Sequence, residues 1–186
     1  VLPNDDAAIV AFLATNSLGA VFASCSPDLG SIAVTDRLAQ LAPVAIFIME
    51  STGYWYKCKW QNTQERTENF MAQLMGTIKL VIACPGSNGP IPPQEESCRY
   101  TFPFVRLTDI RANASAAAKL EFRRMSFQEP VCILFTSGTT GTPKAIAHGN
   151  VIFLNHLKEQ RLHLNQVQNS VVFQYTSLSW MMFNHM

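Results

Sequence analysis

The sequence lacks any hydrophobic run that could cross a membrane. The longest apolar stretch near its beginning, Ala7–Ala14, is far shorter than the roughly 18–20 residues that a membrane-spanning helix needs. The first six residues, VLPNDD, carry acidic side chains where a secretory signal would carry basic ones. We therefore predict a soluble protein without a membrane span or an export signal, and we expect it in the cytosol.

Charge is also scarce. The 186 residues include 14 Lys and Arg against 13 Asp and Glu, which gives a formal net charge of +1, so no basic patch is available to hold a nucleic-acid backbone. The aromatic segment Tyr54–Trp60 is interleaved with Lys57 and Lys59, but we interpret it as a half-buried edge strand protected by its lysines rather than as a surface for bases. We expect small-molecule partners and no nucleic acid, and the sequence leaves the oligomeric state open.

The five cysteines form no CxxC pair. Cys25, Cys84 and Cys132 stand in apolar surroundings, which favours buried and reduced thiols. The four histidines have no close ligand spacing with any cysteine, so no metal site is predicted.

The first half of the chain alternates helical and strand-like segments. Helices are predicted where a capping residue precedes helical spacing, at Asn4, at Ser31, and at Asn62, which has Glu65 three residues further on. We expect the first helix to be buried, because Ala and Val line the side opposite Ile9, Phe12, Leu13 and Asn16. Strand-like runs lie at residues 20–25, 44–49 and 79–84. Strands that are apolar without alternation predict an α/β fold, with largely parallel sheets flanked by helices.

The second half continues this alternation less regularly. Residues 85–103 predict a loop or connector, and Ala112–Arg124 a surface helix. Further strands are predicted at 131–136, 145–149 and 170–175, and a further helix from Asn150 to about Leu164.

The most informative segment is the loop after the apolar run VCILF. The stretch from Thr136 to Lys144 reads TSGTTGTPK, and its glycines, hydroxyl groups and terminal lysine form the kind of donor-rich bend that binds phosphate oxygens. The spacing is not that of a GxxxxGK[ST] phosphate loop, because Gly138 and Gly141 are only three residues apart. A flexible polar linker is the alternative, although the flanking strand-like segments disfavour it.

The motif TSGTTGTPK resembles the phosphate-loop signature of the adenylate-forming superfamily, which includes acyl-CoA synthetases, luciferases and the adenylation domains of peptide synthetases. Other segments resemble the acetoacetyl-CoA synthetase family in the same order along the chain. They are SCSPD at Ser24–Asp28, AIAHGN at Ala145–Asn150, and YTSLSWMMFN at Tyr175–Asn184. The resemblance implies that residues 1–186 are part of a large N-terminal AMP-binding domain, whose remainder and small C-terminal domain are absent.

The resemblance also implies a reaction and a set of site residues. The family joins a carboxylic acid to coenzyme A in two steps, using ATP with Mg²⁺. The resemblance implies that Lys144 is catalytic and also binds the nucleotide phosphates. It implies the same binding role for Thr136, Ser137, Gly138, Thr139, Thr140 and Gly141. It also places Trp180, Met181 and Met182 near the acyl and nucleotide pocket, although ordinary core packing is an alternative for that cluster.

Two departures from the family pattern leave alternatives open. Leu178 and Ser179 stand where the family has Thr-Gly before its tryptophan, and the aspartate that holds the ribose and the lysine of the C-terminal domain have no counterpart. The chain could therefore be a truncated isoform that serves as a folding or interaction module without catalysis. A third reading keeps the ligase and changes the acid to acetate or another short acid.

Overall fold

The computed structural model describes residues 1–86, 92, 100–115, 117–137, 141–173, 176–177 and 179. Helices and strands alternate along most of this range. In chain order they are α1 (Asp6–Ser17), β1 (Phe22–Ala23), α2 (Ser31–Leu38) with a 3-10 turn (Ala39–Leu41), β2 (Ala45–Met49), β3 (Gly53–Tyr56), β4 (Lys59–Asn62), α3 (Gln64–Leu74), β5 (Leu80–Cys84), β6 (Val105–Arg106), α4 (Leu107–Asn113), β7 (Pro130–Phe135), β8 (Ala145–Gly149) and α5 (Val151–Leu162).

One three-stranded sheet is parallel throughout. Strand β5 lies between β2 and β6, and β2 pairs with it from Ala45 opposite Leu80 to Met49 opposite Cys84. Parallel neighbours need a long crossover, and α3 lies in the one between β2 and β5. The continuous apolar runs thus correctly predicted a parallel arrangement.

Both faces of this sheet are covered. Because successive side chains of a strand point to opposite faces, Ile46 and Ile48 face one side and Phe47 the other. The first side packs against α2 and α3, through Val34, Leu38, Phe70, Met71 and Leu74. The second side packs against α1 and α4, through Ala7 and Leu107. The fold is therefore the predicted α/β arrangement of a sheet between helices.

A second three-stranded sheet carries the strand before the hydroxyl-rich loop. Strand β7 lies between β1, which is parallel to it, and β8, which is antiparallel. The antiparallel pair was not part of the predicted sheet, and it fits the short connection, because only residues 136–144 separate the two strands. Phe12 of α1 contacts Phe22 and Phe153, with ring centroids 5.2 and 6.0 Å apart, so α1 bridges this sheet and α5.

The aromatic segment was predicted to be a single edge strand, but it forms a β-hairpin of two strands. Strands β3 and β4 are antiparallel, with Trp55 directly opposite Trp60. The two turn residues, Lys57 and Cys58, have φ angles of 49° and 59°, the pair of positive values that a type I′ turn requires.

The predicted start of α1 was wrong, and the helix is buried on one side only. Its cap is Asp5, whose Oδ1 accepts a hydrogen bond of 3.0 Å from the amide of Ala8, whereas the Asn4 side chain donates to the carbonyl of Thr176 at 2.5 Å. The buried residues of α1 are alanines, and Leu13 is 56% exposed. Small side chains let the helix approach the sheet closely. Hydrophobicity alone does not predict that the alanine side, rather than the side with the larger apolar residues, is the buried one.

Other predicted helix starts were one residue off. The cap of α2 is Gly30 rather than Ser31. At α3 the cap position is Thr63, and Asn62 accepts from the amide of Gln64 at 2.9 Å instead of forming a capping box. Asn150 does occupy the cap position of α5, without a side-chain bond to the helix.

The helix predicted over Ala112–Arg124 was also wrong. Helix α4 ends at Asn113, and residues 117–126 form no helix. The amide of Arg123 donates instead to the carbonyl of Ser17 at 2.9 Å, so tertiary contact with the end of α1 overrides helix propensity. Residues 170–173 form no strand, and 174–175, like most of the predicted connector at 85–103, lie outside the described residues.

The described cysteines are free thiols, and no helix in the described ranges is long and apolar enough to cross a membrane. Cys25, Cys84 and Cys132 are buried as predicted, whereas Cys58 is exposed and Cys98 lies outside the described residues. Burial raises the pKa of all three buried thiols, to about 11 for Cys84 and Cys132, because a thiolate is unfavourable away from water.

These raised pKa values predict a loss of stability in alkaline solution. In the unfolded chain the thiols release protons near the ordinary pKa of 9.0, whereas the folded state keeps them until about 11. The folded state therefore binds more protons within this window, and the free energy of unfolding falls as pH rises through it. Urea unfolding at several pH values between about 8 and 11 measures the slope. A variant with both Cys84→Ala and Cys132→Ala should show a shallower decline, and an equal slope would contradict the assignment.

Candidate functional site

The hydroxyl-rich loop closes a β-hairpin. Strands β7 and β8 pair up to Phe135 opposite Ala145, and the loop begins and ends immediately beyond that pair. The amide of Thr136 donates to the carbonyl of Lys144 at 3.1 Å, and the amide of Lys144 donates to Oγ1 of Thr136 at 3.0 Å. These two bonds bring the first and last residues of the loop together at its neck.

The described part of the loop faces solvent. Thr136, Ser137, Gly141 and Lys144 are exposed, and Gly141 has a φ of +156°, a conformation that glycine adopts far more readily than other residues. In the described part of the chain, no carboxylate forms an ion pair with the Lys144 ammonium group. The described part of the loop therefore exposes hydroxyl groups and a positive charge that has no ion-pair partner among the described residues.

The structure describes four of the predicted phosphate-binding residues, all in the connection between β7 and β8. Thr136 and Lys144 form the neck, and Ser137 and Gly141 are exposed residues between them in the chain. The other three, Gly138, Thr139 and Thr140, lie outside the described residues, as does the predicted substrate-pocket cluster of Trp180, Met181 and Met182.

Two side chains from the end of α2 and the 3-10 turn that follows it contact this hairpin. Nε2 of Gln40 donates to the carbonyl of Pro143 at 2.8 Å, and the Arg37 guanidinium lies 6.0 Å from the centroid of the Phe135 ring. Sequence reasoning missed both residues. Gln40 and Pro143 are 103 positions apart, and no local pattern marks such a contact.

A cleft of about 290 Å³ opens beside the SCSPD turn. Its walls come from the chain start, the turn, strand β3 and the segment that leads toward Trp180, namely Pro3, Asn4, Ser26, Pro27, Asp28, Tyr54, Trp55, Tyr56, Thr176 and Ser177. The segment Ser24–Asp28 ends in a turn, and this turn forms one wall of the cleft.

The turn is fixed by polar contacts. The hydroxyl of Ser26 accepts from the amide of Asp28 at 3.3 Å and donates to Oδ2 of the same residue at 3.1 Å. Tyr54 donates its O–H to the other carboxylate oxygen of Asp28. Burial and this neighbouring carboxylate raise the pKa of Tyr54, so its hydroxyl stays a donor well above neutral pH.

Within the described ranges, no group of three His, Cys, Asp or Glu side chains could hold a metal ion. The donors at the loop are hydroxyl and amide groups with one ammonium group, a set that suits phosphate oxygens rather than a cation.

Comparison with known proteins agrees with this geometry. The family model described as AMP-binding enzyme matches residues 1–186. An acetoacetyl-coenzyme A synthetase from Rhizobium meliloti (strain 1021) is 36% identical over 185 residues, which cover 99% of this chain and 27% of that protein. A malonamoyl-CoA synthetase from Penicillium aethiopicum is 32% identical over 186 residues, with 97% and 25% covered.

A solved structure shows the same fold. The acetoacetyl-CoA synthetase from Streptomyces lividans superposes with a TM-score of 0.82 at 33% identity, covering 99% of this chain and 26% of that one. The chain thus spans about a quarter of the length of the relatives that it matches.

Proposed function

Because this chain belongs to the AMP-binding enzyme family, we propose that it is the part of an acid–thiol ligase that grips the phosphates of ATP. The observation that carries the proposal is the loop Thr136–Lys144, which is closed at its neck and presents an exposed lysine without an ion-pair partner in the described ranges. Its hydroxyl groups, its glycines and this lysine would cradle the β- and γ-phosphates.

The proposed reaction explains why the charge is needed. An oxygen of the carboxylate attacks the α-phosphorus of MgATP, and the bond from that phosphorus to the β-phosphate oxygen breaks. Negative charge grows on the departing pyrophosphate, and a preformed cation and N–H donors stabilise it without having to reorganise. In the second step the sulfur of coenzyme A bonds to the acyl carbon, and AMP leaves with the former carboxylate oxygen.

We propose acetoacetate as the acid. Its support is that proteins named acetoacetyl-CoA synthetase are similar to this chain over nearly its whole length. A relative named malonamoyl-CoA synthetase is similar to almost the same degree, so acetate, malonamate and other short acids are the competitors. Trp180, Met181 and Met182 remain proposed pocket residues, and Thr176 and Ser177, just before them, line the cleft.

The test is acid-dependent exchange of labelled pyrophosphate into ATP by the full-length protein. Because the adenylation step is reversible, we expect exchange with acetoacetate. We expect this exchange to be faster than with acetate or malonamate. Exchange that is faster with another short acid would replace the substrate and keep the ligase. No exchange with any short acid would contradict the proposal.

A second candidate concerns the 186-residue chain alone, which could be a non-catalytic folding or interaction module that binds phosphate weakly. The fact that favours it is that the chain spans only about a quarter of its relatives. Calorimetry with MgATP on the isolated chain tests this candidate, because tight binding together with thioester formation would contradict it.

We further propose a cytosolic enzyme of short-acid and lipid metabolism that uses ketone-body acids and acts on small molecules. Reduced thiols support the location, since the described cysteines are all free. A fluorescent fusion of the full-length protein found inside a membrane-bound organelle would contradict it.

A further inference from the structure

The peptide unit between Pro143 and Lys144 is held on both of its edges. Its carbonyl oxygen accepts from Nε2 of Gln40 at 2.8 Å, and its N–H donates to Oγ1 of Thr136 at 3.0 Å. A peptide unit is planar, so partners on its two edges fix its orientation. That plane includes the Cα of Lys144, and the two bonds therefore also restrict the direction in which the lysine side chain leaves the backbone.

The Gln40 side chain is itself anchored. Its amide nitrogen also donates to the carbonyl of Asp36 at 2.6 Å, one helical turn earlier. An amide nitrogen carries two protons, so one can hold the side chain against its own helix while the other reaches the loop. Gln40 thus offers Pro143 a donor whose position is already set.

Arg37, three residues before Gln40, contacts strand β7 on the other side of the hairpin. Its guanidinium lies 6.0 Å from the ring centroid of Phe135, the last residue of β7, and its Nη1 donates to the carbonyl of Ala33 at 2.8 Å. Phe135 also packs against the core cluster that contains Val34. Arg37 at the end of α2 therefore contacts the last residue of β7, before the loop, and Gln40 in the following 3-10 turn contacts Pro143 near the end of the loop.

We propose that Gln40 is a positioning residue for the phosphate-binding loop, fixing the Pro143–Lys144 peptide so that the lysine points toward the nucleotide, while Arg37 steadies the incoming strand. This inference rests on the proposed function of the loop. Gln40 would not touch the nucleotide, and its effect would pass through the fraction of molecules in which the loop is ready to bind.

The test is Gln40→Met in the full-length protein, which keeps the length of the side chain and removes the donor without adding charge. If the loop is ready in a smaller fraction of molecules, the apparent affinity for MgATP falls by that fraction. Since one hydrogen bond contributes about 0.5–1.5 kcal/mol, KM for MgATP should rise about twofold to tenfold. The KM for the acid should stay unchanged, and any fall in the thermal unfolding midpoint should be no larger than the loss of one hydrogen bond explains. Amide exchange at Lys144, whose N–H bonds to Thr136, should become faster.

Gln73→Met is the matched control, because Gln73 is an exposed glutamine on α3, and it should change none of these values. An unchanged KM for MgATP in Gln40→Met would overturn the inference, as would a rise that is matched by an equal rise in the KM for the acid or reproduced by Gln73→Met. Wild-type protein without pyrophosphate exchange would instead reject the proposed function. The two failures are therefore distinguishable.

Discussion

Replacing Lys144 with alanine should lower the adenylation rate of the full-length protein about 100-fold, which corresponds to roughly 2.7 kcal/mol of lost transition-state stabilisation. The reason is that the exposed ammonium group meets more negative charge on departing pyrophosphate than on bound ATP. We expect kcat to fall by a larger factor than KM for MgATP rises. Single-turnover measurement of acyl-adenylate formation gives the two effects separately.

Lys79→Ala is the control for this experiment, since Lys79 is an exposed lysine just before β5 and its loss should leave kcat unchanged. Unchanged turnover in Lys144→Ala would refute the assigned role. A rise in KM alone would reduce Lys144 to a binding residue. The contrast with Gln40→Met is useful, because that change is expected mainly in KM.

The second large effect is expected in the core. Met71 of α3 is 0% exposed and belongs to the cluster between α2, α3 and the parallel sheet. Met71→Ala removes most of this side chain and leaves a cavity that the surrounding helices and strands can only partly fill. The free energy of unfolding should fall by about 2–5 kcal/mol, measured by urea denaturation of the protein.

Met75→Ala provides a matched comparison one helical turn away. Met75 caps the end of α3 and is 37% exposed, so its truncation should cost about 1 kcal/mol or less. Equal losses in the two variants would contradict the burial of this face of α3.

Two of the three strands of the parallel sheet could be predicted because each is a short, continuous apolar run, whereas the two-residue β6 was not predicted. Residues 44–49 and 79–84 became β2 and β5, and a strand buried on both faces requires such a run. Helix starts were less predictable, because Asn4 and Asp5 are both good caps and only the contact of Asn4 with Thr176 decides between them. Propensity failed at 117–126 for a similar reason, since Arg123 bonds to the end of α1.

The order of side chains along the chain was enough to predict the α/β class, the family and the position of the loop that we propose binds phosphate. These features depend on local composition and spacing, which folding does not alter. The antiparallel return of β8, the closing of the loop at Thr136 and Lys144, and the reach of Gln40 to Pro143 depended on the folded chain. Such contacts join residues that are distant in sequence, or they select one of several local conformations that the sequence allows equally well. Only the packing of the helices against the sheets determines them.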